Sequence, residues 1–301
     1  MKLTILGCHA ATPRIIANPT SQVLELKNHL FLIDCGEGTQ VQLRKCKLKF
    51  SRIEHIFISH LHGDHFFGLP GLVSTFRLLG RTTTLHIYGP KGIKEAVTLL
   101  LKLGDSWTNY PLRFHELTSK EPEVVFEDDK ITVSTIPLNH RIYTNGFLFQ
   151  EKPADRKLNV EAVTKHKIDK CYFQKIKNGK DMVLDNGTTI PNQELILDPP
   201  TPKSYAFCSD TCFEPNIVPS IMDTTVLYHE STFLESEAAL AVKTKHSTAK
   251  EAATIAKMAK VETLILGHYS TRYRSLKLFK EEAETIFDTI LLGEDGRTYE
   301  F

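Results

Sequence analysis

The sequence predicts an α/β fold: a four-layer αβ/βα sandwich, two sheets face to face with helices outside, carrying an inserted arm over residues 151–200. Three observations predict it. Strand-length apolar runs alternate with helical stretches through both halves of the chain. Four strand ends each offer a residue able to bind a metal, so the strand-end loops are expected to meet along one edge of the sandwich as an active site. Residues 151 to about 200 differ from the rest in charge and turn content.

Composition sets the outer limits. With 301 residues, 41% hydrophobic and 24% charged, the chain can bury one large core or two modest ones. No stretch approaches 18 uninterrupted apolar residues, and Met1-Lys2-Leu3-Thr4-Ile5-Leu6 is a strand pattern rather than a leader, so a cytoplasmic protein with no membrane partner is expected. Six cysteines, Cys8, Cys35, Cys46, Cys171, Cys208 and Cys212, lack CxxC spacing and read as reduced thiols. A net charge of +1 argues against a globally basic coat, so any polyanion must be held by a local patch.

In chain order, Leu3–Leu6, Val23–Leu26 and Leu30–Ile33 read as strands. The last feeds Asp34-Cys35-Gly36-Glu37-Gly38, and Thr39–Lys45 reads as a helix. Asp34 suits either of two roles, orienting a ligand histidine from behind or capping that helix, and the residues alone leave them level.

Ile56-Phe57-Ile58 is a buried strand running into a loop, Ser59 to Gly71, closed by glycines and a proline. Within six residues the loop holds His60, His62, Asp64 and His65, the donors zinc prefers when cysteine is absent. His60 and His62, two apart, can point the same way to hold one ion. Gly63 permits a tight turn, after which Asp64 and His65 can face a second ion about 3.5–4 Å from the first.

Leu85–Pro90 is a strand followed by a helix from Lys91 to about Lys102, and His86 inside it reads as packed. Ile131–Ile136 is a strand leading to His140; a lone histidine there is usually structural, but the first ion still lacks a third ligand. Tyr205–Cys208 runs into Ser209-Asp210, and Thr263–Leu266 runs into Gly267-His268. Thr225–Tyr228 leads to His229-Glu230-Ser231-Thr232. Thr248 and Glu251 spell a capping box, which puts His246 at a helix start, pointing out of the core. His9, His29, His55, His115 and His166 have no such setting.

From Lys152 to Lys180 nine basic residues face three acidic ones, a net charge of about +6. A helix over 160–167 precedes two Asn-Gly pairs, Asn178-Gly179 and Asn186-Gly187, which suggest hairpins. Basic and poor in core-forming residues, the segment is expected to stand off from the sandwich as a clamp for a folded polyanion; the plainer alternative is a solvated excursion.

These residues resemble the metallo-β-lactamase superfamily and, within it, the ribonuclease Z family of tRNA 3′-processing endonucleases. HxHxDH alone specifies only the superfamily. The extension to Phe67-Gly68-Leu69-Pro70-Gly71-Leu72, the His246-Ser247-Thr248 and His268-Tyr269-Ser270-Thr271-Arg272-Tyr273 elements and a basic arm after His140 are more specific. The resemblance implies two Zn²⁺ per subunit: one on His60, His62 and His140, the other on Asp64, His65 and His268, with Asp210 bridging. It also implies Asp64 as proton acceptor, His246 with Glu230 near the leaving group, precursor tRNA as substrate and a homodimer.

Two stretches depart from the family pattern. Ile168–Phe173 stands where the arm usually carries a Gly-Pro pair, which weakens the case for arm-mediated tRNA binding. Pro13-Arg14-Ile15-Ile16-Ala17-Asn18 replaces a PxKxRN loop that senses the RNA 3′ end, leaving the treatment of CCA ends open. The rival readings are a small-molecule hydrolase of phosphodiesterase or arylsulfatase type on the same fold, and a metal-free tRNA-binding scaffold. The second is disfavoured because every ligand position is filled.

Overall fold

The apolar runs of the first half form β1 (Lys2–Gly7), β2 (Ser21–Leu26), β3 (His29–Ile33), β4 (Ile53–Phe57), β5 (Leu85–Pro90) and β6 (Leu112–Leu117). Between them lie α1 (Thr39–Lys45), α2 (Gly63–Phe66), α3 (Gly68–Leu78) and α4 (Ile93–Leu103), and β7 (Val124–Glu127), β8 (Ile131–Leu138) and β9 (Thr144–Glu151) follow. The inserted segment carries β10 (Lys157–Leu158), α5 (Val160–Lys165), α6 (Phe173–Lys177), β11 (Met182–Val183), β12 (Thr189–Ile190), α7 (Asn192–Leu195) and β13 (Ile196–Leu197). The chain ends with β14 (Ser204–Cys208), β15 (Val226–Glu230), α8 (Ala238–Thr244), α9 (Ala249–Met258), β16 (Thr263–Gly267), α10 (Lys277–Ala283), β17 (Ile290–Leu292) and β18 (Thr298–Glu300). This computed structural model describes residues 1–301 apart from Pro13 and Asp185. By contacts it divides into one unit of residues 1–150 with 203–301 and a second of residues 151–202.

The first unit holds two seven-stranded sheets, ordered β18-β1-β2-β3-β4-β5-β6 and β17-β16-β15-β14-β9-β8-β7. Strand side chains alternate between faces, and that alternation makes the layers. Phe31 and Ile33 of β3 and Phe57 of β4 share a core with Phe147, Phe149 and Phe207 of the other sheet. Leu30, Leu32 and Ile56, one residue out of step, pack instead with Leu43 of α1, Leu69 and Leu72 of α3 and Val97 of α4. Ala252 and Ile255 of α9 and Phe279 of α10 cover the second sheet. The expected four-layer sandwich is therefore what the chain forms.

Strands β14, β15 and β16 pair in parallel, so their carboxyl ends lie on one edge. β4 is parallel to both its neighbours. Strands β6, β7, β9, β17 and β18 had no sequence expectation. β17 and β18 have three residues each, too few to show a period, and β6 has only one fully buried position.

Three expectations fail for physical reasons. The glycine–proline stretch after the histidine loop is the start of α3, not loop. Pro70 is its third residue, inside the first turn, where the missing N–H has no helical partner to lose. Gly68 is required because a Cβ there would collide with the carbonyl oxygen of Gly36 and lie 2.9 Å from that of Cys35. Asn178-Gly179 ends α6 in place of turning a hairpin, with Gly179 at φ +87° as the left-handed residue after the helix. Gly187 does sit in the β11–β12 connection. The inserted unit is also not poor in core, since Val163, Ile168, Ile176, Ile190, Leu195 and Ile196 form a cluster of their own.

His86 is packed, stacked on His55 with ring centroids 5.0 Å apart and 3.0 Å from His115 Nε2 through its Nδ1. Burial, with the neighbouring His86, His29 and His115, pushes His55 down to about 3. The unfolded chain, with an ordinary histidine near 6.5, therefore binds the proton that the folded chain refuses. The part of the stability that rests on this histidine should be full above pH 6.5 and fall on acidification towards pH 3. Urea midpoints measured at pH 7 and pH 5 should show this loss, and His55→Phe, which keeps the stack without a titrating group, should reduce it.

Candidate metal centre and active site

The centre is built from strand ends. β3 delivers Asp34, β4 delivers Ser59 and His60, β8 delivers His140, β14 delivers Asp210, β15 ends in Glu230 and β16 delivers His268. Asp34 and His268 both adopt positive φ, 54° and 57°, a strained conformation for residues with side chains that recurs at functional sites.

Asp34 decides its own role. Its carboxylate accepts from Ser59 N at 2.7 Å, from Ser59 Oγ at 2.8 Å and from His65 Nδ1 at 2.7 Å. α1 takes Gly38 at its cap with no side-chain bond, so Asp34 orients a histidine and caps nothing. The loop is held further by Cys35 N donating to His65 O at 2.7 Å and Gly68 N to Cys35 O at 2.9 Å.

Acceptors on their far sides make Nδ1 the donor in three imidazoles. His65 Nδ1 donates to Asp34, and His140 Nδ1 donates to Lys245 O at 2.8 Å. His268 Nδ1 donates to Thr232 Oγ1 at 2.9 Å, because that hydroxyl spends its own proton on Glu230 Oε2 at 2.6 Å. Each Nε2 is turned towards Asp210. Asp210 Oδ1 lies 3.3 Å from His65 Nε2 and 3.1 Å from His268 Nε2, while Oδ2 lies 3.5 Å from His60 Nε2 and 3.7 Å from His140 Nε2. His62 Nδ1 completes the second set, 2.9 Å from His60 Nε2 and 3.4 Å from His140 Nε2. Asp64 Oδ2 completes the first, 3.5 Å from His65 Nε2 and 3.7 Å from His268 Nε2.

These separations fit metal ions. A tetrahedral ion with bonds of about 2.0–2.1 Å holds its ligand atoms roughly 3.3 Å apart. At this edge the described residues hold two groups near that spacing around Asp210: His60, His62, His140 and Asp210 itself, and Asp64, His65 and His268. The two oxygens of Asp210 address one group each. His65 Nε2 and His268 Nε2 are buried without a hydrogen-bond partner, which is costly unless a cation takes their lone pairs.

The carboxylates of the centre call for positive charge: burial would lower His65, but Asp210, Asp64 and Asp34 hold it well above its ordinary value. Burial alone would raise Asp210, but His268, His65 and His60 hold it well below the usual carboxylate range. Burial likewise opposes ionisation of Asp64, and His65 and His268 reverse it. His60 is pushed well down, chiefly by burial and by His65, which leaves it neutral and able to donate its lone pair.

Glu230 is a second hub. It is fully buried and accepts from Thr211 N at 2.7 Å, Thr232 N at 3.2 Å, Ser247 N at 3.1 Å and His246 Nδ1 at 2.8 Å. His246 was expected to point out of the core. Its side chain is 11% exposed and turned inward, with its ring 5.0 Å from that of His140 and 5.4 Å from that of His268. Burial lowers it, but the Glu230 carboxylate outweighs burial and lifts it to about 9. The capping box of Thr248 and Glu251 does form, starting α9 just beyond.

Every residue singled out in sequence as ligand or acid–base group thus lies in one cluster. Sequence reasoning gave no role to Ser59 or Thr232, although both stand in the quoted runs. It could not find the Lys245 carbonyl or the Ala11 amide, which donates to Asp64 Oδ2 at 2.8 Å, because backbone groups leave no residue-type signal. Of the amino-terminal stretch 13–18, Pro13 lies outside the described residues.

The chain is 47% identical to a ribonuclease Z of Bacteroides fragilis over 295 residues, covering 98% of this chain and 97% of that one. It belongs to the ribonuclease Z family. Ribonuclease Z family membership makes it a metal-dependent endoribonuclease, a phosphodiester hydrolase. The structure of the short form of human tRNase Z superposes with a TM-score of 0.73 at 26% identity, over 100% of this chain and 99% of that one. The metallo-β-lactamase fold protein YhfI of Bacillus subtilis, 16% identical, shares the fold with a TM-score of 0.70 over 99% of each chain. Residues 1–166 also match the model of a family described as Anti-Pycsar protein Apyc1, a span that holds the histidine loop and His140 but not Asp210, Glu230, His246 or His268.

Asp34→Ala should free His65 and Ser59 together. Residues that orient metal ligands in this way typically contribute 10–100-fold in metal affinity, and chelator competition on the purified variant should show a loss of that order.

Proposed function

We propose that this ribonuclease Z family member removes the 3′ trailer from precursor tRNA, leaving a 3′-hydroxyl on the tRNA and a 5′-phosphate on the trailer. The observation that carries the reading is the placement of Asp210 between two groups of metal-binding side chains, beside an acid–base pair, Glu230 and His246. His60, His62 and His140 would hold one Zn²⁺, Asp64, His65 and His268 the other, and Asp210 both. Bound zinc supplies a water acidic enough to attack at neutral pH and draws charge from the phosphate.

The chain's own groups do the rest. Asp64, steadied by the Ala11 amide, orients the attacking water and takes its proton. His246, kept protonated by Glu230, gives its proton to the departing 3′-oxygen. The amides of Thr211 and Ser247 keep Glu230 an acceptor as that proton leaves. The net charge of about +6 between Lys152 and Lys180 would hold tRNA backbone phosphates sequence-independently. In place of a Gly-Pro pair this arm has Asp169 accepting from Cys171 N at 2.8 Å, with Ile168 in the arm's core. We further propose a cytoplasmic homodimer; among the described residues no helix is long and apolar enough to cross a membrane.

Incubation with a transcript carrying a 3′ trailer, with end mapping of both products, tests the reading. Asp210→Ala should lower kcat by at least about 10²–10³-fold with tRNA binding retained, and His246→Ala by about 10²–10⁴-fold. Chelation should abolish cleavage and added zinc restore it. Deleting residues 152–198 separates the nuclease from a small-molecule hydrolase: pre-tRNA cleavage should collapse while turnover of bis(p-nitrophenyl) phosphate persists, and equal loss of both would reject the tRNA assignment.

A further inference from the structure

Phe67 is 65% exposed although it directly follows the histidine loop and its neighbour Phe66 is buried. An exposed aromatic beside a reaction centre wants a partner with an apolar face. The ring is not loose. It lies against the Cα of Gly63, where a Cβ would come within 2.6 Å of Cδ2 and 2.8 Å of Cζ, and it meets Phe66 edge-on with centroids 5.1 Å apart. One face is thus backed by protein.

A cleft of about 310 Å³ opens beside it, lined by Ala11, Pro19, Glu37, Gly63, Asp64 and Phe67. That is the lower end of the ligand-site range, room for one ring system rather than a stretch of chain. The walls are built in advance. Asp295 Oδ2 accepts from Asn18 N at 2.6 Å and Asn18 Nδ2 at 2.8 Å, and His9 N donates to Asn18 O at 3.1 Å, which fixes the wall that carries Ala11 and Pro19. Ala11 is tied in turn to Asp64 through its amide. The cleft offers an aromatic plane, a proline, a small apolar side chain and one rim carboxylate, Glu37, able to accept from a base N–H. It contains no cation for a phosphate.

We propose that Phe67 is a stacking platform for a single unpaired base, that of the first nucleotide of the trailer, held in the cleft against Asp64. The inference rests on the endoribonuclease reading above. The side follows from that reading: His246 serves the departing 3′-oxygen of the tRNA, and none of His140, Glu230 and His246 lines the cleft. The strand that leaves the phosphate on the Asp64 flank is the trailer. Base-on-aromatic stacking is sequence-tolerant, as a nuclease meeting many trailers requires.

The test is a double-mutant cycle read as kcat/KM on pre-tRNA. Substrates carry an abasic site at the first trailer nucleotide or, as control, at the last tRNA nucleotide. Enzymes are wild type, Phe67→Leu, which fills the space without a π face, and Phe67→Tyr. Removing the first trailer base should slow the wild type by about 5- to 150-fold. Phe67→Leu should show a similar loss on intact substrate and no further loss on the abasic one, while Phe67→Tyr keeps wild-type behaviour. Losses that multiply, a wild type indifferent to the missing trailer base, or coupling only to the last tRNA nucleotide would overturn the proposal. Should Phe67→Leu not fold, the wild type and Phe67→Tyr against both abasic substrates still decide it. A wild type that cuts no pre-tRNA would instead sink the endoribonuclease reading.

Discussion

The Asp210 carboxylate, buried among imidazoles contributed by three separate stretches of chain, is the constraint around which the rest is arranged. Burial opposes ionisation of a carboxylate in that position; His268, His65 and His60 face it and reverse this, with His140 beside them, and other groups hold the far sides of these rings. Asp34, the Lys245 carbonyl and the Thr232 hydroxyl each accept from an Nδ1–H and leave an Nε2 turned inward. The site therefore has its donors aligned beforehand and does not spend binding energy turning them.

The fold supplies that alignment through its edges. Three parallel strands, β14, β15 and β16, end side by side, and their last residues lead into Asp210, Glu230 and His268. The other sheet brings the histidine loop from β4, clamped to the turn after β3 by Asp34 and by the close approach of Gly68 to the Gly36 carbonyl. Glu230 links the centre to its acid. One carboxylate accepts from Thr211, Thr232, Ser247 and His246, so the loops after β14 and β15 and the stretch ahead of α9 move together or not at all.

On this arrangement the two flanks of the centre differ in chemistry. The His246 flank is charged and suited to a departing oxygen. The Asp64 flank opens on a rigid aromatic and apolar cleft suited to a base. The inserted unit has a small apolar core of its own and basic residues that, on the proposed function, would meet backbone phosphates, the remaining feature of an RNA strand. On that proposal, recognition would be divided among groups that each meet a different part of a nucleotide.

The residues of the centre were legible in the sequence because metal ligands must be particular side chains, and because strand runs ending in His60, His140, Asp210 and His268 show a repeated local pattern. The sandwich was legible too, since alternation over Phe31, Leu32 and Ile33 sorts side chains to two faces before any tertiary contact exists. What the sequence left undecided, at Asp34, or read wrongly, at His246 and Gly68–Gly71, turned on partners distant along the chain. Whether Asp34 capped a helix or held His65, whether His246 pointed outward or into Glu230, and whether Gly68-Leu69-Pro70-Gly71 was loop or helix all depended on such contacts. Residue type and spacing encode what a side chain is able to do. Tertiary structure chooses among those abilities, because hydrogen bonds between residues far apart in sequence, and backbone groups of no distinctive type, settle where each side chain points.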